Sequence, residues 1–149
     1  MGVKIVQFAA IILTALALVP FGAHLLELHN KIGLDRDHYM TVQSIYRGWA
    51  LLGVVLIGAA LANFFLAILT RDHTAAAMCA ALAAILILLG LGIFLRWTYA
   101  ANQATSNWSV LPNDWRMLRA HWEYSHAANA VLTFIALCLT VGSVVFRSP

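Results

Sequence analysis

Gly48 to Leu95 reads GWALLGVVLIGAALANFFLAILT-RDH-TAAAMCAALAAILILLGLGIFL. The stretches Gly48–Leu69 and Thr74–Leu95 contain no charged residue, and only Thr70-Arg71-Asp72-His73 separates them. At about 1.5 Å of rise per helical residue, each is long enough to cross a hydrocarbon core of about 30 Å. Two membrane-length apolar runs joined by so short a polar link make an antiparallel helical hairpin with its turn at the membrane surface.

Two further runs lie outward of this hairpin, Val3–Ala23 before it and Ala127–Phe146 after it. The chain of 149 residues is 62% apolar and 10% charged, with a mean hydropathy of +0.84, which excludes an ordinary soluble globule. The expectation is an all-α integral membrane four-helix bundle, up-down-up-down, as one membrane domain over 1–149 with spans near 3–28, 39–69, 74–102 and 114–146. The opening run is longer than a leader's apolar region and reads as a retained first span. It is expected to continue to about His29 with a kink near Pro20. The second helix is expected to begin near His38.

Charge and cysteine content narrow the classes. The 9 Lys+Arg and 6 Asp+Glu give a formal charge of +3, spread singly with no basic run, so nucleic acid is excluded as a partner and anionic membrane lipid suits the excess. Cys79 and Cys138 sit in apolar runs without a CxxC partner, which leaves no disulfide framework and no thiolate metal site.

In this topology the end of helix one, the start of two, the end of three and the start of four share one membrane side. That side collects Glu27, Asp35, Asp37, Asp114 and Glu123 with Lys31, Arg36, Arg47, Arg96, Arg116 and Arg119, whereas Lys4, Arg71, Asp72 and Arg147 fall on the other. The location expected is a bacterial inner membrane with cytoplasmic termini, on a positive-inside reading that discounts arginines facing into the bundle. Gly48, Gly53, Gly58 and Ala62 permit close helix contact, within one bundle or in a homo-oligomer.

The fourth helix opens WRMLRAHWEYSHAANAVLT, in which Trp115, Arg119, Trp122, His126, Asn129 and Thr133 form one helical stripe. Lipid cannot satisfy such donors, so the stripe faces other helices or a polar cavity. His24/Glu27 and Glu123/His126 are two Glu/His pairs at i,i+3 on facing helices, the ligand types of carboxylate-bridged metal sites. One metal ion held by His24, Glu27, Glu123 and His126 is one reading; ion pairs of the glutamates with Arg119, Arg47 or Arg96 are the other. A haem would take His24 and His126 as axial ligands. No cofactor at all is the remaining case. Tyr39, Gln43, Tyr46 and Arg47 on the second helix, and Arg96, Tyr99 and Gln103 with Asn102 on the third, extend the set beyond what interfacial anchoring needs. Together they suggest an aromatic-walled polar pocket at one end of the bundle.

The block Trp97–Asn129, with its run W-x-x-L-R-x-x-W-E-Y-S-H from Trp115 to His126, resembles the signature of the anthrone oxygenase-like family of small four-span membrane proteins. So does Glu27-Leu-His-Asn-Lys-Ile-Gly-Leu followed by Tyr39 and Gln43-Ser-Ile-Tyr-Arg-Gly-Trp. Some members of that family oxidise polyketide anthrones to anthraquinones with dioxygen and no recognised cofactor. The resemblance implies site roles for Asn102, Asn107, Trp115, Arg119, Trp122, Glu123 and His126.

The function expected is that of a membrane oxidoreductase or monooxygenase taking a hydrophobic aromatic or quinone-like small molecule from the bilayer. In it, His126 or Glu123 is the base, Arg119 and Asn102 stabilise an oxyanion, and Trp115, Trp122, Tyr46, Arg47, Asn107 and Asn129 bind the substrate. The alternative is a non-catalytic membrane protein that holds a lipid, quinone or haem, or serves a partner subunit.

Overall fold

The computed structural model describes residues 2–147. It is all-helical, with no strand among the described residues: α1 (Gly2–Lys31), α2 (Arg36–Gln43), α3 (Gly53–Leu69), α4 (Thr74–Ile93), α5 (Ala100–Ala104) and α6 (Trp115–Val145). Four stretches are long and apolar enough to cross a membrane, Gly2–Lys31, Trp49–Leu69, Thr74–Ala104 and Trp115–Val145. The chain is an integral membrane helical protein.

Each long helix packs on two others, α1 on α3 and α6, and α4 on α3 and α6, which closes an up-down-up-down bundle. The shared interior is built of small residues, among them Ala17, Ala59, Ala83, Ala130 and Ala136, with Phe21, Leu56 and Ile87 filling between them. Small side chains let the backbones approach where lipid provides no hydrophobic drive for helix association. Large apolar side chains such as Phe8, Leu16, Phe65, Leu88 and Phe134 are exposed on the outside, as a lipid-facing surface requires.

At the end bearing the 70–73 turn the bundle is tied by polar side chains. Asn63 Nδ2 donates to Thr14 Oγ1 at 3.1 Å and Thr140 Oγ1 donates to Asn63 Oδ1 at 2.8 Å, linking α1, α3 and α6 through a fully buried carboxamide. These bonds are structural.

Three details depart from the expected elements. α1 runs through Pro20 as one helix and ends at Lys31 rather than His29. The second span does not start at residue 39. α2, capped by Asp35 accepting from the His38 backbone N–H, gives way to a 3-10 turn at Ser44–Tyr46, and the spanning helix restarts at Trp49. The break falls at Gly48, whose φ of 89° only glycine adopts freely. Lastly, α4 passes through a π-helical turn at Phe94–Tyr99 into α5. The inward face continues through Leu91, Phe94, Thr98 and Asn102, while Arg96, Tyr99 and Gln103, expected on the polar stripe, are exposed.

Candidate functional site

The polar end encloses a cavity of about 590 Å³ between α1, the α2 segment, the π-helical turn and α6. His24 on α1 and His126 on α6 meet in its wall with ring centroids 4.2 Å apart. They are placed there because α1 and α6 pack directly, and because Ala17, Ala130 and their neighbours keep the two axes close. Trp122 stands edge-on to both imidazoles, at 4.8 Å from His24 and 4.2 Å from His126. Tyr46 lies 4.5 Å from His24 and 5.7 Å from Trp122. The Nδ1 atoms of both histidines are buried without a hydrogen-bond partner. Aromatic edges offer them no acceptor.

Trp108 closes one side of the cavity. It sits at the end of a segment in which Ser106, Asn107 and Trp108 all have left-handed backbone, φ 48°, 55° and 62°. Three consecutive non-glycine residues in that region store strain. The geometry is fixed by Thr105, whose hydroxyl accepts from the Trp108 backbone N–H at 3.0 Å, and by Asn102. The Asn102 Oδ1 accepts from the indole N–H of both Trp108, at 3.1 Å, and Trp122, at 3.0 Å. One carboxamide thereby sets the spacing of two aromatic walls.

Behind this wall lies a charge cluster in which Lys31 and Glu123 are buried and Glu27 is partly exposed. Lys31 Nζ is 3.1 Å from Glu123 Oε1 and 3.6 Å from Glu27 Oε2, and it donates to the Tyr46 hydroxyl at 3.0 Å. Tyr46 in turn donates to Glu27. Tyr39 donates to Glu123 Oε1 at 2.9 Å and accepts from Gln43. The Lys31 ammonium also lies 4.3 Å and 4.7 Å over the rings of Tyr46 and Trp122. Burial, and after it the neighbouring glutamates, push the pKa of both phenols, Tyr39 and Tyr46, above the ordinary value of 10.0, so both stay neutral donors.

The expected site residues therefore separate into groups. His24, Tyr46, Arg47, Asn102, Asn107, Trp122 and His126 line the cavity. Glu27 and Glu123 stand one layer behind it, joined through Lys31. Among the described residues no three or more His, Cys, Asp or Glu side chains gather as a metal-binding group. Lys31, four residues after Glu27, carries its ammonium into the place between the carboxylates that a cation would take. A haem between His24 and His126 does not fit their geometry either, because rings whose centroids lie 4.2 Å apart leave no room for a macrocycle.

Arg119 and Trp115 do not reach the cavity. The Arg119 guanidinium donates to the Leu34 carbonyl at 2.6 Å and packs over the rings of Trp115 and Tyr39. It serves the polar backbone left open where α1 ends. Asn129 lies a turn below His126, fully buried, with both carboxamide atoms unpartnered, and its Oδ1 faces Gly90. Sequence reasoning missed Lys31, Trp49 and Trp108 as builders of the site. The i,i+4 spacing of Glu27 and Lys31 was the available signal for the first; nothing local marked the two tryptophans.

No protein-family model, curated protein or solved structure matches this chain. The chemistry of the site rests on its own geometry.

Proposed function

We propose that the protein binds a flat, lipid-soluble aromatic or quinone-like molecule in the polar-end cavity and oxidises it with dioxygen. The observation that carries this reading is the close His24–His126 pair in the wall of a cavity of about 590 Å³ flanked by Trp122, Tyr46 and Trp108. That volume falls within the ordinary small-molecule range of roughly 300–1,000 Å³. Indole and phenol walls favour a planar ring, and the imidazole pair is the nearest base to it.

In this reading His126 removes a proton from an activated ring C–H or O–H, and the resulting electron-rich anion reduces dioxygen without a metal. For a ring methylene, the CH₂ becomes C=O, one oxygen atom enters the product and the other leaves as water. The resemblance to anthrone oxygenase-like proteins points the same way. Arg119 is assigned no part in stabilising the anion, because its guanidinium is held by Leu34. The proposed location is a bacterial inner membrane with both termini cytoplasmic.

The test uses the protein in lipid nanodiscs with dihydroxyanthrone and a short-chain ubiquinol as probes, following oxygen uptake, product absorbance and quenching of tryptophan fluorescence. Turnover of a probe by the wild type, reduced at least about a hundredfold in His126→Ala with quenching retained, is the expected result. Undiminished turnover in His126→Ala overturns the role. Quenching without turnover in the wild type identifies a protein that holds its ligand without transforming it.

A further inference from the structure

A base buried behind aromatic walls works once unless its proton can leave. The His24–His126 pair has no hydrogen-bonded acceptor at either Nδ1, and the protein groups around it are mostly aromatic edges. The exception is Glu27. Its Oε2 lies 3.9 Å from His24 Nδ1, and its side chain is 37% exposed whereas that of His24 is 4% exposed. Glu27 is thus the group that faces His24 on one side and the outside of the bundle, at its polar end, on the other.

The charges around Glu27 make it suited to carry a proton rather than merely to pair. The titratable groups that face it are His24 and Lys31 on α1, Tyr46 from the 3-10 turn, and, beyond Lys31, Glu123 on α6. Two carboxylates share the single ammonium of Lys31. With both glutamates ionised the cluster carries one uncompensated negative charge. Glu123 is wholly buried and closer to the ammonium, so it is the permanent partner of Lys31; Glu27 is the carboxylate left to exchange.

We propose that Glu27 is the proton port of the cavity: it accepts the proton collected by the His24–His126 pair and releases it to water at the membrane face. Resting on the proposed oxidation, this adds the route by which the base is regenerated. The steps balance as proton transfers alone. The substrate C–H or O–H gives its proton to His126, the His126 imidazolium passes it to the adjoining His24 ring, the His24 Nδ1–H gives it to the Glu27 carboxylate across a small side-chain movement, and the carboxylic acid gives it to water. Glu27 is a positioning and relay residue, since it does not line the cavity. Lys31 and Tyr46 hold its carboxylate.

The decisive measurement needs no substrate. Exchange of the pocket imidazole N–H protons with water is followed by NMR on isotope-labelled histidine in nanodiscs, with His24→Gln and His126→Gln assigning the signals. In Glu27→Gln, which keeps an oxygen to accept from Tyr46, exchange slows at least about tenfold, and Glu27→Asp restores most of it. Unchanged exchange in Glu27→Gln overturns the port. A slowing that Glu27→Asp fails to relieve, accompanied by shifted signals from Trp122, assigns Glu27 a packing role and overturns it as well. Where a probe is turned over, Glu27→Gln lowers the rate, and added imidazole buffer recovers it by supplying a mobile base. Slowed exchange in a protein that oxidises no probe leaves the port standing and removes the oxidation; normal exchange with turnover intact does the reverse.

Discussion

Lys31 on the last turn of α1 and Glu123 on α6 form an ion pair at 3.1 Å with both side chains out of water. Removing one partner leaves a buried charge uncompensated, at a cost of about 3–5 kcal/mol, whereas removing both exchanges the pair for packing at far smaller cost. Lys31→Met is therefore expected to lower thermal stability in detergent sharply, and Lys31→Met with Glu123→Leu to recover most of the loss. Equal melting temperatures for the single and double variants would count against the pair.

Gly90 and Asn129 set a second test. A Cβ on Gly90 would stand 2.7 Å from Asn129 Oδ1, inside any real contact. Gly90→Ala should destabilise the bundle by about 1–3 kcal/mol through overpacking. Combined with Asn129→Ala the clash has no partner, so the two substitutions should be strongly non-additive in a double-mutant cycle.

Asn102 carries two indole N–H groups on one oxygen. Asn102→Leu strands both donors, each costing about 1–3 kcal/mol when buried. Trp108 is then expected to swing out from its strained segment. The readouts are a red shift of tryptophan emission and weaker quenching by dihydroxyanthrone, with the transmembrane helical signal unchanged.

Tyr39 and Tyr46 give a pH dependence of known sign. Both phenols ionise at higher pH in the folded protein than in the unfolded chain, where the value is near 10.0. As pH rises past that value the unfolded chain binds fewer protons than the folded one, so stability is complete below it and falls above it. An alkaline titration should show tyrosinate absorbance from these two residues only as the protein unfolds. Tyr39→Phe should remove part of the alkaline loss.

How much of this was readable beforehand follows from where the physical signals lie. The spans were legible because apolar length is a property of the chain itself, and Gly48–Leu95 shows it without any partner. The polar end was legible because alternating helices must return the same ends to the same side. The Trp122–His126 stripe was visible as a period. The break at Gly48 was not, because the α2 segment has the helical spacing of Tyr39, Gln43 and Tyr46 on either account, and only the fold shows the left-handed backbone at Gly48. The fate of Arg119 depended on Leu34, whose free carbonyl is created by the way α1 ends. Lys31 is legible only as one charge of the polar end, because nothing in sequence says that Glu123, ninety-two positions away, closes over it.

The restart at Trp49 makes one post of the bundle shorter than the rest. Trp49–Leu69 has 21 residues, against 30 in α1 and 31 in α6, a deficit of roughly 14–15 Å at the helical rise. The cavity lies above this short post, its lining descending from Arg47 and Gly48 to Leu56. A guest drawn to that depth is dissolved in lipid before it is bound. Its working concentration is then a mole fraction of the bilayer and not a molarity in buffer, so half-saturation should scale with the amount of lipid or detergent present, and dilution with water alone should leave occupancy nearly constant.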